Sequence, residues 1–187
     1  MRNLILTALA LVAIAACGPS TKELSGAKTA RYHGDKLAIF NAMKEAVAAK
    51  YTIEKSDETT LGLNTTNRWY TPEGLAASER GDMRDVPDRS IGIVFVVKVL
   101  PDGDNWVVNV EPMMQRYFAG RPNPDKLSAE DPSIPGWATG KVDNLQLDIN
   151  TALKAFELKS PTGQMAPPPA AAPAPAPAPA PAAGGGY

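Results

Sequence analysis

The run IGIVFVVKVLPDGDNWVVNV, Ile91 to Val110, decides the fold. Ile91, Ile93, Phe95, Val97 and Val99 fall on one side of an extended chain and Val94 and Val96 on the other, because side chains in a strand alternate faces. Apolar residues on both faces, rich in β-branching, mark a central strand. Leu100-Pro101-Asp102-Gly103-Asp104 then carries turn chemistry: proline fixes one dihedral, aspartate accepts local hydrogen bonds and glycine permits positive φ. Trp106, Val108 and Val110, with Val107 opposite, must fold straight back as the second arm of a hairpin.

Toward the N-terminus, Thr71 to Arg89 is charged and broken by Pro72, Gly74, Gly81 and Pro87, with one helical turn expected near Leu75 to Glu79. Before it, Leu61, Leu63, Thr65, Asn67 and Trp69 alternate as one strand sharing a face. Tyr51 and Ile53 belong to another, and Ser56-Asp57 joins the two. Upstream, Leu37, Phe40, Met43 and Val47 recur at helical spacing behind Asp35, a suitable N-cap. On the C-terminal side, Met113, Met114, Tyr117 and Phe118 extend the returning arm past Pro112, which lacks an N–H and so belongs at a bulge or an edge. Prolines through Pro135 keep most of the next stretch irregular. Val142, Leu145, Ile149, Leu153 and Phe156 then restore helical spacing. This order predicts an α+β fold, α-β-β-β-β-α over residues 35–159, with two helices on one face of a four-stranded antiparallel sheet.

The two ends read differently. Arg2, the apolar run Leu4 to Ile14 and the small residues Ala15 and Ala16 form the layout of a secretory signal peptide. The run is too short for a membrane span, which takes about 20 apolar residues. Gly18, Pro19, Ser20 and Ser25-Gly26 suggest a polar leash through residue 34. After Ser160-Pro161, Ala166 to Ala183 is nearly all proline and alanine. That composition favours polyproline II and cannot build a core, so residues 160–187, through Gly184 to Gly186 and Tyr187, read as a disordered tail.

Ile14-Ala15-Ala16-Cys17 resembles the lipobox of bacterial lipoproteins. The resemblance implies that residues 1–16 are removed, that Cys17 becomes the first residue and carries fatty chains such as palmitate, and that residues 17–34 lead from the lipid to the domain. Gly18 stands where lipoproteins retained at the inner membrane have aspartate, so the resemblance favours the outer membrane, on its periplasmic face or its surface. Leu37 to Trp69 is similar to the start of the helix-grip domains of BamC-like outer-membrane lipoproteins. The likeness rests on the helix with Ala42 and Val47, Tyr51-Thr52-Ile53, Ser56-Asp57, Gly62 and Asn64-Thr65-Thr66. One domain instead of two, and the Pro/Ala tail, depart from that family's pattern.

The chain carries 19 Lys and Arg against 20 Asp and Glu, and losing Arg2 with the signal moves the formal charge from -1 to -2. No basic stripe of the kind that binds phosphate backbones is present, so no nucleic-acid partner is expected. Cys17 is the sole cysteine and His33 the sole histidine. Zinc sites and Cys–His nucleophiles therefore lack their residues, and no metal, cofactor or catalytic set is expected. Asp82, Asp85 and Asp88 lack the spacing of a calcium loop and are interrupted by Arg80, Arg84 and Arg89. Trp69, Tyr70, Tyr117, Phe118 and Trp137 fall at strand ends or in loops, where partner surfaces are often built. The composite expectation is a non-enzymatic, lipid-anchored envelope protein that contacts other envelope proteins. Two alternatives are a carrier holding an apolar ligand among Phe40, Met43, Phe95 and Leu153, and a spacer that uses the tail.

Overall fold

The computed structural model describes residues 20–78 and 86–158. In chain order its elements are α1 (Thr21–Thr29), α2 (Lys36–Ala48), β1 (Ile53–Asp57), β2 (Gly62–Thr65), β3 (Arg68–Tyr70), β4 (Ala76–Ser78), β5 (Ile91–Asp102), β6 (Asn105–Arg116), β7 (Asp125–Leu127) and α3 (Gly136–Ala152). The molecule is α+β. It has three helices and seven short or long antiparallel strands among the described residues, where the sequence predicts two and four.

The hairpin β5–β6 is the spine of the sheet. Its arms pair without a break from Ile91 opposite Arg116 to Asp102 opposite Asn105. Gly103 alone has positive φ, 62°, in the two-residue loop, the pattern of a type II′ turn whose twist suits a hairpin. Both prolines in the arms cost the ladder nothing. The N–H groups of Phe95 and Val99 point toward β2, reaching Thr65 Oγ1 and the Leu61 carbonyl, each at 2.9 Å. Pro101 has the same parity and lies beyond Leu61, so its missing N–H falls where β2 has ended. Pro112, opposite Phe95, faces away from β5 and lies outside the stretch Met114 to Arg116 that pairs with β7.

The other edge of β5 is shared by β2 and β3. Asn64 pairs with Val96, but Arg68 pairs with Ile93, so Thr65, Thr66 and Asn67 stand against only Val94 and Phe95. One extra residue is a bulge, and it reverses which side chains face the core. Leu61, Leu63 and Thr65 point to the helices; beyond the bulge it is Tyr70 that does so, and Trp69 turns to the opposite face. The predicted single strand with Trp69 on the face of Leu63 is thereby corrected. Thr65 Oγ1 accepts the Phe95 N–H that the interrupted ladder would otherwise leave unmet.

The two predicted helices, α2 and α3, cover the face formed by Ile91, Ile93, Phe95, Val97 and Val99 and join it in one core. Asp35 caps α2 as expected, its Oδ1 accepting from the N–H groups of Leu37 and Ala38 at 3.0 and 2.9 Å. The buried stripe is Ile39, Phe40, Met43 and Val47; Leu37 is 40 % exposed and lies outside it.

The predicted leash gives way to structure from Ser20 onward. Ser20 and Glu23 form a reciprocal capping box at the start of α1, and Ala27 is buried against α3. Tyr32, fully buried, forms antiparallel bridges with Trp106 and Glu157. The Gly and Ser residues that argued for a leash are outweighed by this cap and by polar side chains on α3 that receive the segment. Gln146 Nε2 donates to the Ala27 carbonyl at 3.1 Å and Asn150 Nδ2 to the Tyr32 hydroxyl at 3.0 Å. The predicted signal peptide, residues 1–16, Cys17 and the predicted Pro/Ala tail lie outside the described residues.

Candidate functional site

Tyr70, Trp137, Phe118, Tyr117 and Trp69 gather at the end of the sheet away from the Gly103 turn, in two groups separated by the sheet. On the helix side, the Tyr70 and Trp137 rings meet at 5.6 Å. Trp137 is seated by the turn before β4: its Nε1 donates to the Pro72 carbonyl at 2.9 Å. Gly74, with φ of 88°, lies so near that a Cβ there would come within 2.8 Å of the indole. On the far side, Trp69 meets Tyr117 edge-on at 6.2 Å.

Burial divides these five residues. Trp69 and Tyr70 are 1 % and 3 % exposed and are interior packing, which leaves them no surface to offer a partner. Tyr117, Phe118 and Trp137 are half-buried.

Cations frame the same end of the molecule. Lys141 Nζ stands 4.3 Å from the Tyr70 ring centre, and the Arg68 guanidinium carbon 5.7 Å from it. Partial burial, together with the nearby positive charge of Arg68, holds the Lys141 ammonium below the usual lysine range. The Tyr51 hydroxyl is pushed up by burial, against a hydrogen bond with Tyr70 and the charges of Arg68 and Lys50 that pull it down. Phe118 carries Arg121 over its ring at 4.8 Å, and Arg121 pairs with Asp125 at 2.7 Å.

Between the turn before β4, the start of β5, the end of β6 and the approach to α3 lies a cleft of about 420 Å³. Pro72, Ile91, Phe118 and Pro135 give it apolar walls, and Arg89, Arg116 and Ser133 give it polar ones. Arg116 is fixed by two bonds to one residue, donating to Ser133 Oγ at 3.0 Å and to the Ser133 carbonyl at 2.7 Å. Ser133 in turn donates its hydroxyl and its amide to Asp131. Those two bonds, more than the charge of Arg116, keep the Asp131 carboxyl below the usual range. The sequence offered Arg89 only as a charge interrupting an acidic run, and Arg116 and Ser133 not at all. Arginines in loops and strand ends carry no pattern of their own, and only the fold brings these together.

Cys17, Asp82 and Asp85 lie outside the described residues. Asp88 Oδ1 accepts the Ala119 N–H at 2.7 Å, a loop-fixing bond. His33 is exposed and uses its backbone N–H to bind the Phe156 carbonyl. Among the described residues no three or more His, Cys, Asp or Glu side chains come together as a metal cage, and no helix is long and apolar enough to cross a membrane. No protein-family model matches this chain, and no curated protein sequence matches it.

Proposed function

We propose that the protein is a lipid-anchored component of a bacterial cell envelope that acts without catalysis, as an accessory or scaffold contacting other envelope proteins, with the outer membrane as its favoured site. The observation that carries this reading is the N-terminal sequence: a charge at Arg2, a short apolar run, two alanines and Cys17 in the order a lipidation signal requires. The domain adds a consequence. Only Gly18 and Pro19 separate Cys17 from the cap of α1, and that length of chain spans at most about 10 Å. The acylated cysteine therefore holds the body close against the bilayer, with α1 nearest to it. A single fatty chain is a marginal anchor and several are a firm one, at about 0.8 kcal/mol per buried methylene.

Phe40, Met43, Phe95 and Leu153, the residues of the carrier alternative, are each fully buried in the one core cluster. They favour the scaffold reading, since a core packed with its own side chains is stabilising without a guest. The test is in-cell photo-crosslinking from the half-buried aromatic positions Phe118 and Trp137. The account expects one discrete envelope-protein adduct, lost when Cys17→Ser releases the chain from the membrane. Absence of any adduct from these and neighbouring surface positions contradicts it.

A further inference from the structure

We propose that the cleft between Pro72, Phe118 and Pro135 binds a small organic oxyanion, a carboxylate or a phosphate monoester carried on an apolar body. The inference is independent of whether Cys17 carries lipid. Its volume, about 420 Å³, falls within the range of small-ligand sites. Among the described residues its lining includes two guanidinium groups, Arg89 and Arg116, and no acidic side chain. The apolar wall residues and Ile91 supply the complementary surface for the body of the ligand.

Each arginine is held in a manner suited to receiving an anion. Arg116 spends two of its N–H groups on the neutral oxygens of Ser133, which orient the planar fork without a direct carboxylate contact among the described residues. Asp131 sits behind Ser133 and fixes it. Arg89 occupies left-handed backbone, φ of 62°, where glycine is the natural choice. The strain is maintained by the surrounding backbone: Arg89 N–H binds the Tyr117 carbonyl and Tyr117 N–H the Ser90 carbonyl, both at 2.9 Å. Strained backbone persists only where its surroundings over-determine it, and it gathers at binding sites. The Arg89 side chain is 75 % exposed, and among the described residues its carboxylate contact, to Asp88, is a long 3.9 Å. The Arg89 guanidinium is thus open to an incoming anion, and the half-buried Arg116 lines the same cleft.

The test is equilibrium dialysis of the full mature chain in detergent against phenyl phosphate, phenylacetate, inorganic phosphate and benzyl alcohol. Saturable binding of phenyl phosphate or phenylacetate is expected, weakening as salt rises; whichever binds more tightly identifies the head group. Arg89→Gly and Arg116→Gln should each weaken that binding at least about tenfold, the scale of one lost charge-assisted contact. Arg89→Gly should also melt no lower than the parent, since it relieves the left-handed strain, so lost binding cannot be assigned to lost folding. Arg116→Lys keeps the charge and serves as the folding control for the second position. No saturable binding of either aryl anion, or undiminished binding by Arg89→Gly, overturns the proposal. So does benzyl alcohol or inorganic phosphate binding as tightly as the aryl anions, because the cleft would then not be reading charge and apolar body together.

Discussion

At the scale of single residues, Gly92 is the position on which the sheet's second face turns. It sits opposite Trp69, and a Cβ placed there would lie 2.7 Å from Asn67 Oδ1 and 3.0 Å from Trp69 Cζ3. In a strand, exchanging glycine for alanine ordinarily helps, because glycine loses more backbone freedom on folding. Here the expected sign is reversed: Gly92→Ala should cost about 1–3 kcal/mol by overpacking against the bulge and the indole. Urea denaturation checks this, and a midpoint equal to or above the parent's would show that Trp69 does not need the space. The bulge also explains a limit of sequence reading. Leu61, Leu63, Thr65, Asn67 and Trp69 alternate without a flaw, and nothing in Thr65-Thr66-Asn67 announces the extra residue; only the register against Val94 and Phe95 reveals it. Trp69 and Tyr70 consequently exchange faces, and the partner surface expected of them becomes interior.

At the scale of elements, the segment from Ser20 to Tyr32 shows a fold completed from its N-terminal end. Its capping box, Ser20 with Glu23, follows the S-x-x-E pattern, which the leash reading of Gly18 to Gly26 passed over. What was not legible is its docking, because Gln146 and Asn150 look like solvent-facing residues of a helix and are 5 % and 6 % exposed. They are buried polar groups whose partners come from this segment, as interior amides require. Exposed ion pairs, Lys28 with Asp143 and Lys50 with Asp148, add little at their degree of exposure. Tyr32 gives the docking a pH signature. Burial raises its hydroxyl above the ordinary 10.0, opposed by the hydrogen bond from Asn150 and reinforced by Glu157. A pKa raised on folding contributes stability that is intact below the unfolded value and lost as pH climbs toward the folded one. Thermal melts should therefore fall as pH rises through about 10. Tyr32→Phe should flatten that fall while lowering the melting temperature at neutral pH, where Asn150 loses its acceptor. Tyr51, raised by burial in the same direction, keeps some slope in the variant. Parallel alkaline slopes for parent and Tyr32→Phe would show that the buried hydroxyl does not govern it.

At the scale of the whole molecule, one hairpin organises everything else. β5 is flanked by β2 and β3 along one edge and β6 along the other, and its Ile91-to-Val99 face receives both α2 and α3. This much was readable, because β-branched alternation, the Asp-Gly turn and helical spacing are local signals that tertiary contacts reinforce. The arginine-lined cleft was not, since Arg89 and Arg116 become neighbours only through the hairpin pairing and the loops beyond it. The opposite face of the sheet is less enclosed: Val94 and Val96 are half-buried and Met113 is 59 % exposed. The three scales meet at Cys17: under the proposed function, a helix capped at Ser20 and tied by a lipid three residues earlier would hold the domain at the surface of a bilayer. Mass analysis of the protein extracted from cell membranes tests this most directly. The account predicts a chain that begins at Cys17 with fatty acyl groups on that residue. An unmodified Cys17, or a chain that retains Met1 to Ala16, would contradict it.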